Sequence, residues 1–133
     1  MKFVNTNIFL RFLLWDDAPK AEACRKFFKK AIEHREVLYT TSLVIAEIVW
    51  VLEKSYHYSK VKVAYALLQI LSTDNLEIED KEILMESLGL YHLKNIDYID
   101  AYNAIMMLEK GIKTVYSYDK DFDVVQSIHR QEP

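Results

Sequence analysis

Four short stretches of this chain put amide or acidic side chains where they could do chemistry: Asn5-Thr6-Asn7, Glu47, Asp100, and Asp119 with Asp121. Each has a plain structural reading beside the chemical one. Asn and Thr are favoured helix caps, which alone would explain Asn5 to Asn7. Glu47 shares a helical face with Leu43, Val44, Trp50 and Val51, all apolar. An ionised carboxylate on such a face is costly unless it is paired or holds a metal, and no basic residue lies within a turn of it. Asp100 stands three residues after Asp97, the spacing of a capping box, although that box prefers Glu or Gln. In Tyr118-Asp119-Lys120-Asp121-Phe122 a single acid would read as a turn cap; two flanking a lysine suggest a site as well.

Brought together, such carboxylates have one common use, which is to hold Mg²⁺ or Mn²⁺. These hard cations take oxygen ligands and bind phosphate oxygens at the same time. They also orient a water and lower its pKa. Without an ion, crowded carboxylates raise one another's pKa. Other chemistries lack their residues. Gly89 and Gly111 stand alone, so there is no glycine-rich phosphate loop. His34, His57, His92 and His129 are scattered without zinc spacing and are expected at the surface. Cys24 is the single cysteine, which excludes an internal disulfide and reads as a small buried apolar residue.

The elements that must position these groups alternate along the chain. A short apolar strand, Lys2 to Val4, precedes a helix from about Ile8 to Leu14. Asp17 caps a second helix, with Pro19 in its first turn, that runs to about Glu33. Val37 to Thr40 reads as a strand, and Ser42 as the cap of a helix reaching Lys54. Ser59 caps the next helix, to about Leu71, and Leu76 to Ile78 is a third strand. Asp80 and Asp97 open two more helices, the second closed by Gly111. Thr114 to Ser117 is a fourth strand. Alternating strands and helices predict an α/β fold with a mostly parallel sheet. In such sheets the site lies past the carboxyl ends of the strands, where the Asn5 and Asp119 stretches fall.

At 133 residues, about half of them apolar, the chain suits one domain spanning 1–133 with a proper core. Only two glycines and two prolines interrupt it, so long helices and short loops should dominate. The net charge of -3 is not that of a strongly basic nucleic-acid binder, but a metal-dependent nuclease can bring its positive charge with the ion. No apolar run approaches the ~20 residues of a membrane span, and no cleavage site follows the N-terminal apolar segment. A cytoplasmic protein is expected. Trp15, Phe27, Trp50, Tyr56, Tyr58 and Tyr65 are expected mostly in the core, with some left for a partner surface.

Beyond these local readings, the ordered set of motifs resembles the PIN-domain family, and within it the VapC-type toxins. Met1-Lys2-Phe3-Val4-Asn5-Thr6-Asn7 resembles the family's opening strand followed by Asp-Thr-Asn. Thr41-Ser42-Leu43-Val44-Ile45-Ala46-Glu47 resembles its second motif, Asp97-Tyr98-Ile99-Asp100-Ala101 its third, and Thr114-Val115-Tyr116-Ser117-Tyr118-Asp119-Lys120-Asp121-Phe122 its fourth. The resemblance implies a three-layer α/β/α fold with a short, mainly parallel four- to five-stranded sheet, and a Mg²⁺- or Mn²⁺-dependent endoribonuclease toxin. It further implies an RNA substrate, a cognate antitoxin and a homodimer. By the same resemblance Glu47, Asp100 and Asp119 bind metal, with Asp121 as an additional or alternative ligand, and Thr6, Asn7 and Ser42 support the site. Asn5 departs from the family's aspartate. An amide keeps the shape but carries no charge and is a poor proton acceptor, so weak metal binding and little cleavage are expected of this chain. Two other readings remain: a non-catalytic PIN-like module that binds RNA or protein, and a receiver-like domain. The latter wants an acidic pair after the first strand, where this chain has Asn5.

Overall fold

Strand β1, Lys2–Phe3, is short because the chain turns into helix α1, Thr6–Leu14, almost at once. The buried Thr40 fixes where that happens: its hydroxyl donates to the Val4 carbonyl at 2.9 Å, and the Val4 N–H donates to the Tyr39 carbonyl at 2.9 Å. The computed structural model describes residues 1–133, in two compact units, Met1–Lys81 and Glu82–Pro133.

The first unit continues with α2 (Ala18–Glu33), β2 (Leu38–Thr40), α3 (Ser42–Lys54), α4 (Lys60–Leu71) and β3 (Leu76–Ile78). Its strands form a parallel sheet in the order β1-β2-β3, with Phe3 opposite Tyr39 and Thr40 opposite Ile78. Helix starts follow the sequence closely. Asp17 caps α2 by accepting the Lys20 N–H, and Ser59 caps α4 through the Lys62 N–H. For α3 the cap is Thr41 rather than Ser42, since the extended backbone of Thr41 lets its hydroxyl accept the Val44 N–H while Ser42 is already helical.

The core of this unit is aliphatic, built on Ile45, Ile48, Leu52, Val63 and Leu67, with Phe28 stacked among Phe9, Phe12 and Phe27. The six large aromatic residues expected mostly inside are not: Trp15, Trp50, Tyr56 and Tyr65 are exposed, and Phe27 and Tyr58 are half-buried. Phe27, Trp50 and Tyr65 lie on the outer sides of helices whose inward faces the aliphatic residues already fill, and Trp15, Tyr56 and Tyr58 lie in the connections that follow α1 and α3. Cys24 is buried, as expected, and burial raises its thiol pKa. All four histidines are exposed.

The second unit holds α5 (Lys81–Lys94), which starts at the boundary, α6 (Tyr98–Glu109), β4 (Thr114–Tyr116), a short 3₁₀ turn (Lys120–Val124) and β5 (His129–Gln131). Strands β4 and β5 pair in parallel, with Thr114 opposite His129 and Tyr116 opposite Gln131. The sequence reading had not marked β5. The hydrogen-bonded strands thus form a parallel sheet of three in the first unit and a parallel pair in the second. Parallel pairing needs a crossover of a dozen or more residues, and residues 117–128 supply it through the 3₁₀ turn. Tyr98 anchors the start of α6: its ring meets Tyr91 edge-on at 5.7 Å and its buried hydroxyl donates to the Leu84 carbonyl at 3.1 Å. Burial raises the Tyr98 pKa, keeping it a neutral donor. Gly111 ends α6 with φ of +70°, while the Ile112 N–H reaches the Met107 carbonyl at 2.8 Å and the Gly111 N–H reaches Leu108, a Schellman closure.

Candidate metal centre and its supporting residues

Asp100, Asp119 and Asp121 come together in the second unit, each offering a carboxylate oxygen within 4.8 Å of the others. Local backbone demands put them there. Asp97 is the N-cap of α6 and accepts the Ile99 N–H at 3.0 Å, which makes Asp100 the third helical residue. In a capping box Asp100 would reach back to the Asp97 N–H. That donor instead goes to Asp121 Oδ2 at 3.2 Å, supplied from a distant part of the chain, and leaves Asp100 available. Fully buried Ala101 and Ala104 flank Asp100 on the inward side of α6.

Asp119 is itself a cap. Its Oδ1 accepts the Asp121 N–H at 2.9 Å, and its own N–H donates to Ser117 Oγ at 2.9 Å. Arg130, which the sequence reading did not single out, secures the segment. Its guanidinium donates to Asp123 at 2.9 Å, to Glu132 at 2.9 Å and to the Ser117 carbonyl at 2.9 Å. This arginine belongs to no motif, and only the β4–β5 pairing reveals its contact with the Ser117 carbonyl.

The electrostatics are those of a site built for positive charge. The pKa of Asp100 is pushed up to about 6, first by burial, then by a hydrogen bond with Asp119 and by repulsion from Asp119, Asp97 and Asp121. A dication would relieve that repulsion, and three carboxylates are the oxygen donors that Mg²⁺ or Mn²⁺ prefers. The residues present therefore fit such an ion.

In the first unit, Thr6 and Glu47 meet. The buried Thr6 hydroxyl donates to Glu47 Oε2 at 2.7 Å, drawing the glutamate toward the start of α1. Glu47 is exposed, contrary to the costly apolar burial inferred from its neighbours. The face it shares is open: Leu43 is 79% and Trp50 58% exposed. Asn5 occupies the N-cap position of α1 in extended conformation, but its side chain makes no capping hydrogen bond, so the cap reading does not account for the amide. Asn7 is exposed on the first turn of α1. Ser42 turns to Glu79, at a long 3.4 Å, and not to Thr6 or Glu47.

Residues 2–127 match the PIN domain family, and the chain belongs to that family. The fold class is accordingly the α/β class expected, short parallel sheets among helices. Over 122 residues the chain is 27% identical to a VapC ribonuclease of Aquifex aeolicus (strain VF5), an alignment that covers 92% of this chain and 90% of that protein. The crystal structure of VapC20 from Mycobacterium tuberculosis, a sarcin-ricin loop cleaving toxin, aligns over the whole of both chains at 19% identity with a TM-score of 0.44.

Proposed function

We propose that this PIN-domain chain acts as one domain, 1–133, with the architecture of a Mg²⁺- or Mn²⁺-dependent endoribonuclease toxin, and that Asn5 attenuates it. The observation that carries the reading is the convergence of Asp100, Asp119 and Asp121 within 4.8 Å. Similarity to a VapC ribonuclease along nearly the whole chain supports the reaction class. In this reading Asp100, Asp119 and Asp121 hold the metal, while Glu47, held by Thr6, and position 5 are carried over from the family resemblance alone. A bound ion would supply Lewis acidity and a water of lowered pKa for attack on a phosphodiester. The residues' own part is to be fixed in advance: Asp119 and Asp121 are held by the backbone groups they cap, and Glu47 by Thr6. Asn7 and Ser42 are proposed supports at the edge of the site.

Asn5 presents an amide oxygen where the family has a carboxylate. A full charge lost about 4 Å from a cation forfeits roughly 4 kcal/mol at an effective dielectric of ~20. Solvation reduces that figure, yet ~3 kcal/mol in the transition state is still about a hundredfold in rate. The same amide favours the second reading, a PIN-like module that binds RNA or protein without cutting. The proposed setting is cytoplasmic, with a cognate antitoxin and a homodimer partner. No helix is long and apolar enough to cross a membrane. Exposed Val61, Tyr65 and Leu68 give α4 an apolar face suited to a protein partner.

The test is a cleavage assay of this chain beside its Asn5→Asp form on RNA, with Mn²⁺, Mg²⁺ and chelator. Chelator-sensitive cleavage by Asn5→Asp alone is expected. Absence of cleavage from both transfers the weight to the binding module.

A further inference from the structure

Helix α6 carries more than an acid. Asp100, Asn103, Met107 and Lys110 follow one another at helical spacing on a single face, and all four line an open cavity of about 480 Å³. Exposed Tyr116 and the neighbouring Ser117 of β4 form another part of the wall. The groove is chemically graded. One end begins at Asp100, hence at the acidic cluster. Its middle is amide and thioether, from Asn103 and Met107. The other end is the cation of Lys110, ten residues on, about 15 Å along the axis at 1.5 Å per residue. Ser117 also accepts the Asp119 N–H, so the β4 wall and the acidic turn are joined.

We infer that this groove is a nucleotide subsite, which seats a base of a single-stranded RNA next to the phosphate held at the acidic cluster. The inference rests on the metal-dependent reading of that cluster for its polarity, but the groove has its own observables. Three features favour this occupant over others. Asp100 belongs both to the acidic cluster and to the groove wall, so a strand with a phosphate at the cluster has the groove beside it. Tyr116, 68% exposed, offers a ring on which any base can stack, and Asn103 offers both a donor and an acceptor to a base edge. Lys110 lies far enough from the acids to meet the next part of the backbone without being neutralised by them. Bases in a duplex are stacked inward and unavailable, so a single strand or loop is the form that fits.

The probe is a fluorescein-labelled, 2′-O-methylated single-stranded RNA of about eight nucleotides, within the reach of such grooves and resistant to cleavage. Its binding to the chain is followed by anisotropy in Mn²⁺ and in chelator. Asn103, Lys110 and Tyr116 are all exposed, so Asn103→Glu, Lys110→Ala and Tyr116→Ala should fold normally, which melting curves verify. Each is expected to weaken binding about five- to tenfold, while Tyr116→Ala and Lys110→Ala leave the Mn²⁺-induced rise in Tm unchanged. Equal binding by parent and variants, or no binding by the parent, overturns the subsite. The two levels separate cleanly. If Asn5→Asp cleaves RNA and the three variants bind normally, the groove idea falls and the nuclease reading stands. If nothing cleaves but the variants lose the probe, the groove stands and the catalytic reading falls.

Discussion

The partial burial of Asp100, with other acids crowded around it, makes a sharp prediction for the metal-free protein: Asp100→Asn should stabilise it. The folded-state pKa of Asp100 is about 6 against an ordinary value of 3.8, so between those pH values the folded chain binds more protons than the unfolded one. Stability therefore falls as pH rises through that window, and the penalty is fully present above pH 6 and absent below 3.8. At about 1.4 kcal/mol per tenfold change, the raised pKa corresponds to about 3 kcal/mol. The carboxyl is only half-buried, however, and screening by water leaves about 1 kcal/mol. For a domain of this size that is a Tm gain of about 3–5 °C. The assay is thermal unfolding of parent and Asp100→Asn in chelator from pH 4 to pH 8. The gain should be present at pH 8 and vanish toward pH 4, because only the difference between the chains isolates this group. Added Mn²⁺ should reverse the order, raising the parent more than the variant. A gain independent of pH, or a variant less stable at pH 8, would refute the account in which burial, and then Asp119, Asp97 and Asp121, oppose ionisation of this carboxyl.

Other outcomes follow from single contacts. Thr6→Val removes the 2.7 Å hydrogen bond to Glu47 at nearly constant volume; in the Asn5→Asp background kcat should fall about tenfold with little change in KM, as steady-state assays would reveal. Arg130→Met releases Asp123, Glu132 and the Ser117 carbonyl, and should weaken Mn²⁺ binding about tenfold by loosening the turn that carries Asp119 and Asp121, which titration calorimetry would measure. Gly111→Ala meets open space but keeps φ at +70°, so it should cost about 1 kcal/mol by urea unfolding with metal affinity unchanged.

Much of this was legible in the residues. The caps at Asp17, Ser59 and Asp97, and the closing Gly111, follow from local chemistry that needs no tertiary partner, and these came out where the sequence put them. The acids after β4 were legible as a pair, and the structure gives each its own backbone donor while bringing both to Asp100. What the sequence concealed depended on distant partners. Glu47 looked buried because its helical neighbours are apolar, but Leu43 and Trp50 point outward on a helix whose inward face was already filled by Ile45, Ile48 and Leu52. Strand β5 carries His129, Arg130 and Gln131, a polar run without strand periodicity, and exists because β4 offers it an edge. The Arg130 clamp depends on that pairing and was invisible for the same reason.

The double duty of Asp119 and Asp121 has a consequence for which ion could be accepted. Asp119 commits Oδ1 to the Asp121 N–H, and Asp121 commits Oδ2 to the Asp97 N–H. Each keeps one oxygen outside these backbone bonds, and Asp119 shares a further hydrogen bond with Asp100, so neither is disposed to chelate through both. A large cation such as Ca²⁺, which takes six to eight oxygens and welcomes two-oxygen carboxylate ligation, is poorly served by single-oxygen donors. A small octahedral ion that keeps several of its own waters is served well, and those retained waters are the ones a hydrolytic reaction consumes. Under the proposed metal-dependent reading, the hydrogen bonds that finish two helical turns would thus also act as a size filter on the ion.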